Sequence, residues 1–344
     1  MSRQDREPGL PLRRRREGRN EQILEPELPI VDSHHHLYDR PPVRYMFEEY
    51  LEDARAGHNL LASVYVETLA MARARGPEIL RPLGEVEFAN GIGAMSESGG
   101  YGQCKVAAAI VGFADLAVGD LAASLLDRCI GAAPDRYRGV RQITIEHPSE
   151  VPFKYMINRP RPGVLNSDEF RAGFRLLRSR DLSFDAAVFD HQLPDLARLA
   201  GEFPETPIIL NHMGLAMAME MSAEQRSEVF YRWRRGMLTL AEHENVTCKI
   251  GGLGLPFWGF GFEVSAEVLD SRRLADAWRP YVETAIEAFG VERCMTESNY
   301  PPDSRSCGFV PLWNALKTIF RDYSSAEKVE IFSGTAARVY RIEI

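Results

Sequence analysis

Eight short runs of β-branched and small apolar residues recur along the chain, most of them separated by segments with apolar spacing of three and four. The runs are LPIVDSH (28–34), LLASVYVE (60–67), CKVAAAIV (104–111), YRGVRQI (137–143), LSFDAAV (182–188), PIIL (207–210), NVTCKI (245–250) and RCMTES (293–298). Helical spacing is plainest in LPDLARLAGEF (193–203), WRPYVETAIEAFG (278–290) and FVPLWNALKTIF (309–320). Strands alternating with helices indicate a parallel sheet, and eight is the number that closes it into a (β/α)8 TIM barrel of the α/β class. An open doubly wound sheet usually carries a glycine-rich phosphate turn after its first strand. Here three histidines follow instead, in IVDSHHHLYD, residues 30–39.

A chain of 344 residues, 45% hydrophobic and 26% charged, is long enough for one large core. Its net charge of −8 argues against binding duplex nucleic acid. No apolar run approaches the roughly 20 residues of a membrane span, and no apolar stretch at the N-terminus reads as a secretory signal. The five cysteines (Cys104, Cys129, Cys248, Cys294, Cys307) are scattered and form no CxxC. They read as reduced thiols of a cytoplasmic protein and give no support to a zinc–thiolate site. Residues 1–24 stand apart: over the first 20, seven arginines (Arg3, Arg6, Arg13, Arg14, Arg15, Arg16, Arg19) oppose three acids with no apolar period. That pattern predicts a disordered or surface-draped basic arm before a single barrel domain over 25–344. A homo-oligomer is compatible with all of this.

In such a barrel the site lies at the C-terminal ends of the strands. Alternation along strand one predicts Asp32, His34 and His36 on the inward face, with His35 turned toward a helix or loop. His-x-His on a strand lets two imidazoles reach one ion without bending the backbone. His212 stands just past strand six in IILNHMG, and Glu297 and Asn299 share the inward parity of CMTESNYPPD. Lys249, at the end of strand seven, is expected to pair with Glu297. Glu67 ends strand two, where parity leaves it facing either the pocket or the back of the sheet.

The loops after strands one, four and seven are long, as functional loops often are. They bring Arg44 and Tyr45; Lys154, Arg159 and Arg161; and GGLGLPFWGFGF, a pocket wall that includes Trp258. Asp190 and His191, just past strand five, serve either the site or a helix cap. Met213, Met217, Met219 and Met221 suggest an adaptable apolar patch.

The D-x-H-x-H, NHMG and ESNYPPD segments resemble the amidohydrolase superfamily, with RYRGVRQ, LSFDAAV, FPETPIILNHMG and the closing GTAARVYRI in the same order. Within it the chain is similar to the amidohydrolase-related branch that includes 2-pyrone-4,6-dicarboxylate lactonase and sugar lactonases, in a subgroup with an ESN-type ending. The resemblance spans about residues 25–344. It implies a barrel that hydrolyses a cyclic ester or amide and holds substrate carboxylates with arginines, Arg141 first. It implies His34, His36 and His212 as the metal-facing histidines. Asn299 departs from it, standing where the branch has a water-activating aspartate, and an amide cannot accept a proton at neutral pH. Glu297, made more basic by burial, Asp303 folded back over the mouth, or a histidine acting without metal are the possible replacements. The expected cofactor is therefore none or one divalent metal, zinc first, on His34, His36 and His212.

The sequence thus points to a hydrolase that opens a lactone or related cyclic ester or amide of a small anionic substrate. Its expected catalytic residues are His34, His36, His212, Glu297, Asn299 and Asp303. Its expected substrate contacts are Arg141, Arg44, Tyr45, Glu67 and Trp258. A metal-dependent decarboxylase of an aromatic or unsaturated acid is one alternative; a non-catalytic small-molecule-binding barrel is another.

Overall fold

A computed structural model describes residues 15–40, 43–156 and 159–344. Eight strands form one sheet in sequential order: β1 Pro29–His35, β2 Asn59–Val66, β3 Lys105–Gly112, β4 Tyr137–Ile143, β5 Ser183–Ala187, β6 Ile208–Leu210, β7 Val246–Ile250 and β8 Cys294–Thr296. All seven neighbouring pairs are parallel. The first and last strands meet through a bridge between His35 and Tyr300, with Asn299 N donating to His34 O and His36 N to Tyr300 O. The sheet closes there, and the fold is the (β/α)8 barrel that the alternation predicts.

One helix follows each strand: α1 Phe47–Ala54, α2 Leu83–Glu97, α3 Ala123–Ala132, α4 Asp168–Arg178, α5 Leu193–Glu202, α6 Ala223–Ala241, α7 Ser271–Phe289 and α8 Phe309–Ile319. Local chemistry sets their ends. Ser167 caps α4, Ser222 forms a capping box with Gln225 on α6, and Asp270 caps α7. α7 begins earlier than its apolar spacing suggests, because Ser271–Arg273 supply a polar first turn behind that cap.

Two cores result. Between sheet and helices lies a continuous apolar layer. Inside the barrel Val31, Ala62, Val64, Ala109, Ile209 and Met295 interdigitate, and Ala336, Tyr340 and Ile342 from the C-terminal segment pack onto them. That segment is α9 Ser325–Val329, a π-turn over Glu330–Gly334 and α10 Thr335–Tyr340.

Of the basic arm, residues 1–14 lie outside the described residues. Residues 15–24 are draped on the surface: Arg15 and Arg19 reach Glu52 and Asp53 of α1, and Arg16 reaches Glu52. Farther on, Asn314 donates to Gln22 O, and Lys317 donates to Leu24 O and Glu25 O. This cover explains why α8 is apolar nearly all round: both of its faces are buried. The four methionines after β6 are not a surface patch. Met213, Met217 and Met219 belong to the core and Met221 packs against it. No helix among the described residues is long and apolar enough to cross a membrane.

Candidate active site at the barrel mouth

Strand β1 places the histidines through a break in its own alternation. Val31 faces the barrel interior. Asp32 pairs with Ser63 and His35 with Tyr65, so the two residues between them on β1 stand against one on β2. The extra residue is a β-bulge, and it corrects the parity argument. Asp32 faces away from the site: its carboxylate accepts from Ser298 N (2.8 Å), Ser298 Oγ (2.6 Å) and Tyr50 OH (3.0 Å). Burial raises its pKa to about 6. His35 faces the same way, stacked on Tyr50 with ring centroids 4.1 Å apart and bonded to Ser63 Oγ (3.0 Å). His34 and His36 return to the inner face.

There His34 Nε2 and His36 Nε2 lie 3.2 Å apart. His36 Nδ1 donates to Val66 O (2.8 Å), which leaves His36 Nε2 as a bare acceptor. His212 arrives from the end of β6 in a left-handed conformation, φ 52°. Its Nδ1 is 2.5 Å from Glu297 Oε1, while Glu297 Oε2 is 3.1 Å from His34 Nδ1. Burial, reinforced by Lys249, pushes the pKa of His34 well down, and burial with Arg141 does the same to His36. Both rings are therefore neutral near pH 7.

The KIGG end of β7 makes room for this cluster. A Cβ on Gly251 would fall 2.2 Å from Glu297 Cγ, and one on Gly252 (φ +61°) would fall 2.5 Å from the His212 ring. Trp258 is not a pocket residue. Its Nε1 donates to Gly252 O (2.8 Å), and its ring packs on Trp233 and Tyr281 in the outer layer. It braces the Gly252 backbone against the His212 ring.

Several other expected roles are also corrected. Lys249 does face inward, but its partner is Asp185 at 2.7 Å, in a pair with no solvent exposure. Arg141 is committed to Glu67, through Nε to Oε1 (2.8 Å) and Nη2 to the main-chain O (2.6 Å), which leaves only Nη1, 3.3 Å from His34 Nε2. Neither is an open substrate anchor. Arg44 lies on the hairpin formed by 38–40 and 43–45, exposed and bonded to Glu49. Tyr45 is buried, with its hydroxyl on Asp53. Both are held at the outer layer. Asp303 does sit beside Asn299, yet it is sealed from the mouth: its carboxylate accepts from Asn299 Nδ2 (2.6 Å) and Gly254 N (2.8 Å). Burial raises its pKa well above the usual carboxylate range. Asp190 accepts from Met217 N and from Arg232, a structural role.

Sequence reasoning missed Asp185 and Tyr340. The Tyr340 hydroxyl lies 2.9–3.1 Å from the Asp185 carboxylate, which also accepts from Asn211 Nδ2 (3.0 Å). An acid in the middle of an otherwise apolar strand was the available signal for Asp185. Tyr340 had none, since a tyrosine in a terminal helix is ordinary.

Two cavities open at the strand ends. One, about 260 Å³, reaches the cluster through Glu67 and is also lined by Phe113, Asp115, Gln142, Arg159 and Arg161. The other, about 390 Å³, is walled by Glu146, His147, Phe153, Arg159 and His191, with no residue of the histidine cluster. Neither lining includes His34, His36, His212 or Glu297; the smaller cavity borders the cluster through Glu67, the partner of Arg141.

Ligand-capable atoms of His34, His212 and Glu297 lie within 4.8 Å of one another, and the buried Glu297 Oε2 accepts no hydrogen bond from the described residues. Two imidazoles and a carboxylate form a donor set that zinc takes, so the residues fit one divalent cation. The Lys249 ammonium, 3.4 Å from His34 Nδ1, and the Arg141 guanidinium, 3.3 Å from His34 Nε2, place positive charge beside these donors.

The chain is 32% identical over 338 residues to the uncharacterized protein y4mH of Sinorhizobium fredii, covering 92% of this chain and 99% of that one. It is 25% identical over 328 residues to an L-fucono-1,5-lactonase of Burkholderia multivorans, covering 91% and 96%. Among solved structures it resembles an amidohydrolase of Burkholderia multivorans, solved with bound HEPES and with bound zinc. The TM-score is 0.69 in both cases, at 22% and 21% identity, over 91% of this chain and 99% of that one. The model of the Amidohydrolase family matches residues 31–342, from the first barrel strand to the segment that packs against the barrel interior, and the chain belongs to that family of hydrolase-type enzymes.

Proposed function

We propose that this chain opens a lactone, or a related cyclic ester or amide, of a small carboxylated molecule by attack of water at the barrel mouth. The observation that carries the reading is the 2.5 Å contact of Glu297 Oε1 with His212 Nδ1. A carboxylate can only accept, so this bond holds the imidazole proton on Nδ1 and leaves Nε2 bare. His212 keeps 7% of its side-chain surface open, whereas Glu297 and His34 keep none, so His212 is the member that meets a substrate.

His212 Nε2 takes a proton from water as the water oxygen bonds to the ring carbonyl carbon. The ring C–O bond then breaks, and the departing alkoxide receives that proton back from His212. Glu297 stabilises the imidazolium between the two transfers, an arrangement of base and orienting acid like that of other hydrolases. Asn299 takes no proton in this scheme, which removes the difficulty that its amide raised. Arg161, which lines the smaller cavity and stands 3.8 Å from Asp115, replaces Arg141 as the group that meets a substrate carboxylate, while the neighbouring Arg159 is held by Glu150. A divalent cation, zinc first, would be held by His34, His212 and Glu297 and would supply Lewis-acid polarisation of the carbonyl; it would occupy the His212 lone pair, so the proton transfers above belong to the metal-free site.

The similarity to a lactonase makes L-fucono-1,5-lactone the first compound to test. The experiment is a panel of sugar and carboxylated lactones followed by acid release. Hydrolysis of at least one, reduced about 100-fold or more in a folded His212→Asn protein, is the expected result. Inertness toward the whole panel, or release of carbon dioxide from an aromatic acid instead, would overturn it.

A further inference from the structure

The hydrolytic scheme does not use the fully buried pair Lys249–Asp185, although the pair touches the cluster. Its ammonium is held firmly. Nζ lies 2.7 Å from Asp185 Oδ2 and 5.1 Å from the centroid of the Tyr340 ring. Asp185 is fixed in turn by Tyr340 OH and Asn211 Nδ2. On its other side Nζ is 3.4 Å from His34 Nδ1.

Two proton placements on neutral His34 compete. An ammonium has donors only, so Lys249 asks for a bare Nδ1 and puts the ring proton on Nε2. That proton then points at His36 Nε2, 3.2 Å away and bare because the His36 proton is spent on Val66 O. The donors run in one direction, from Lys249 through His34 and His36 to Val66. The opposite placement is favoured by Glu297 Oε2, 3.1 Å from Nδ1, and by Arg141 Nη1, 3.3 Å from Nε2. Under it both Nε2 atoms are bare at 3.2 Å, close to the separation of about 3.3 Å expected for two imidazoles on one tetrahedral zinc. Under the first placement neither ring nitrogen of His34 is free: one faces the ammonium and the other carries the proton.

We propose that Lys249, pinned by Asp185 and Tyr340, directs the proton of His34 onto Nε2 and thereby weakens the grip of the histidine–glutamate cluster on a divalent cation. Lys249 is a positioning residue: it acts through His34 and touches no reacting atom. The proposal does not depend on which bond the enzyme cleaves, and its test uses no turnover.

The test has two parts. First, nitrogen NMR of histidine-labelled, metal-free protein, with the His34 signals assigned by their loss in His34→Gln, reports which ring nitrogen carries the proton. A proton on Nε2 is expected, and a proton on Nδ1 overturns the proposal without any need for a variant. Second, zinc binding is measured by calorimetry on wild type, Lys249→Met and Lys249→Met/Asp185→Asn. The double variant is included because the single one leaves a buried acid unpaired and can fail to fold. In whichever variant folds, the zinc dissociation constant is expected to fall at least tenfold and the His34 proton to move to Nδ1. An unchanged constant with an unmoved proton overturns the proposal.

Discussion

Glu297 and His212 are 85 residues apart in the chain and 2.5 Å apart in the fold. The carboxylate fixes one tautomer of the imidazole, and a glutamine cannot, because its amide can present either donor or acceptor. Glu297→Gln should therefore lower kcat by about 10²–10⁴-fold with little change in KM, the range associated with loss of a general base. Steady-state kinetics on the best lactone of the panel measure it, and a KM-only effect would place Glu297 in binding instead.

Arg141 and Glu67 form a nearly buried pair, with side chains 8% and 5% exposed. Removing one partner strands a charge. Arg141→Met should destabilise the protein by about 3–5 kcal/mol, and Arg141→Met/Glu67→Gln should recover much of that loss. Urea unfolding of the two variants, with equal slopes, gives the comparison.

Restoring an acid at 299 should not restore a base. Asn299 Nδ2 donates to Asp303 Oδ1 at 2.6 Å. Asn299→Asp sets two buried carboxyls against each other, and one must keep a proton. The native state then binds a proton that the unfolded chain releases above the ordinary carboxylate range, so stability falls as pH rises. The variant should show no gain in activity and a larger loss of Tm at pH 8 than at pH 5.

His58 offers a pH test away from the site. It is buried beside Lys317 Nζ (3.0 Å), and burial, with that charge, lowers its pKa to about 3. Unfolded, it takes a proton near pH 6.5. Between about 6.5 and 3 the unfolded chain therefore binds the extra proton, and this group's contribution to stability is lost as pH falls. His58→Gln should reduce the acid-side slope by about 1.4 kcal/mol per pH unit. Urea midpoints at pH 4.5, 5.5 and 6.5 measure it, and a parallel shift with no change of slope would refute the assignment.

What could be read in advance and what could not divide along physical lines. The β-branched runs place all eight strands to within a residue or two, because burial on both faces leaves a continuous apolar signal. The histidines, Glu297 and Asn299 were legible as ends of strands that share one rim. Partners were not. Lys249 was assigned to Glu297 although it binds Asp185, because alternation says which side a residue faces and nothing about which neighbour across the barrel it meets. Arg141 looked free because its partner, Glu67, ends a strand where parity is ambiguous. Arg44 and Tyr45 looked like mouth residues because loop length says nothing about loop direction.

The additional residue in β1, between Asp32 and His35, has a consequence for how this centre can vary. Removing Ser33 alone would set Asp32, His34 and His35 one to one against Ser63, Val64 and Tyr65, so each would keep the face it has now. Adding a residue anywhere else between Val31 and His36 would instead turn one side of the strand over. A single-codon deletion at Ser33 is therefore a change of length that this centre can absorb without exchanging its inside for its outside.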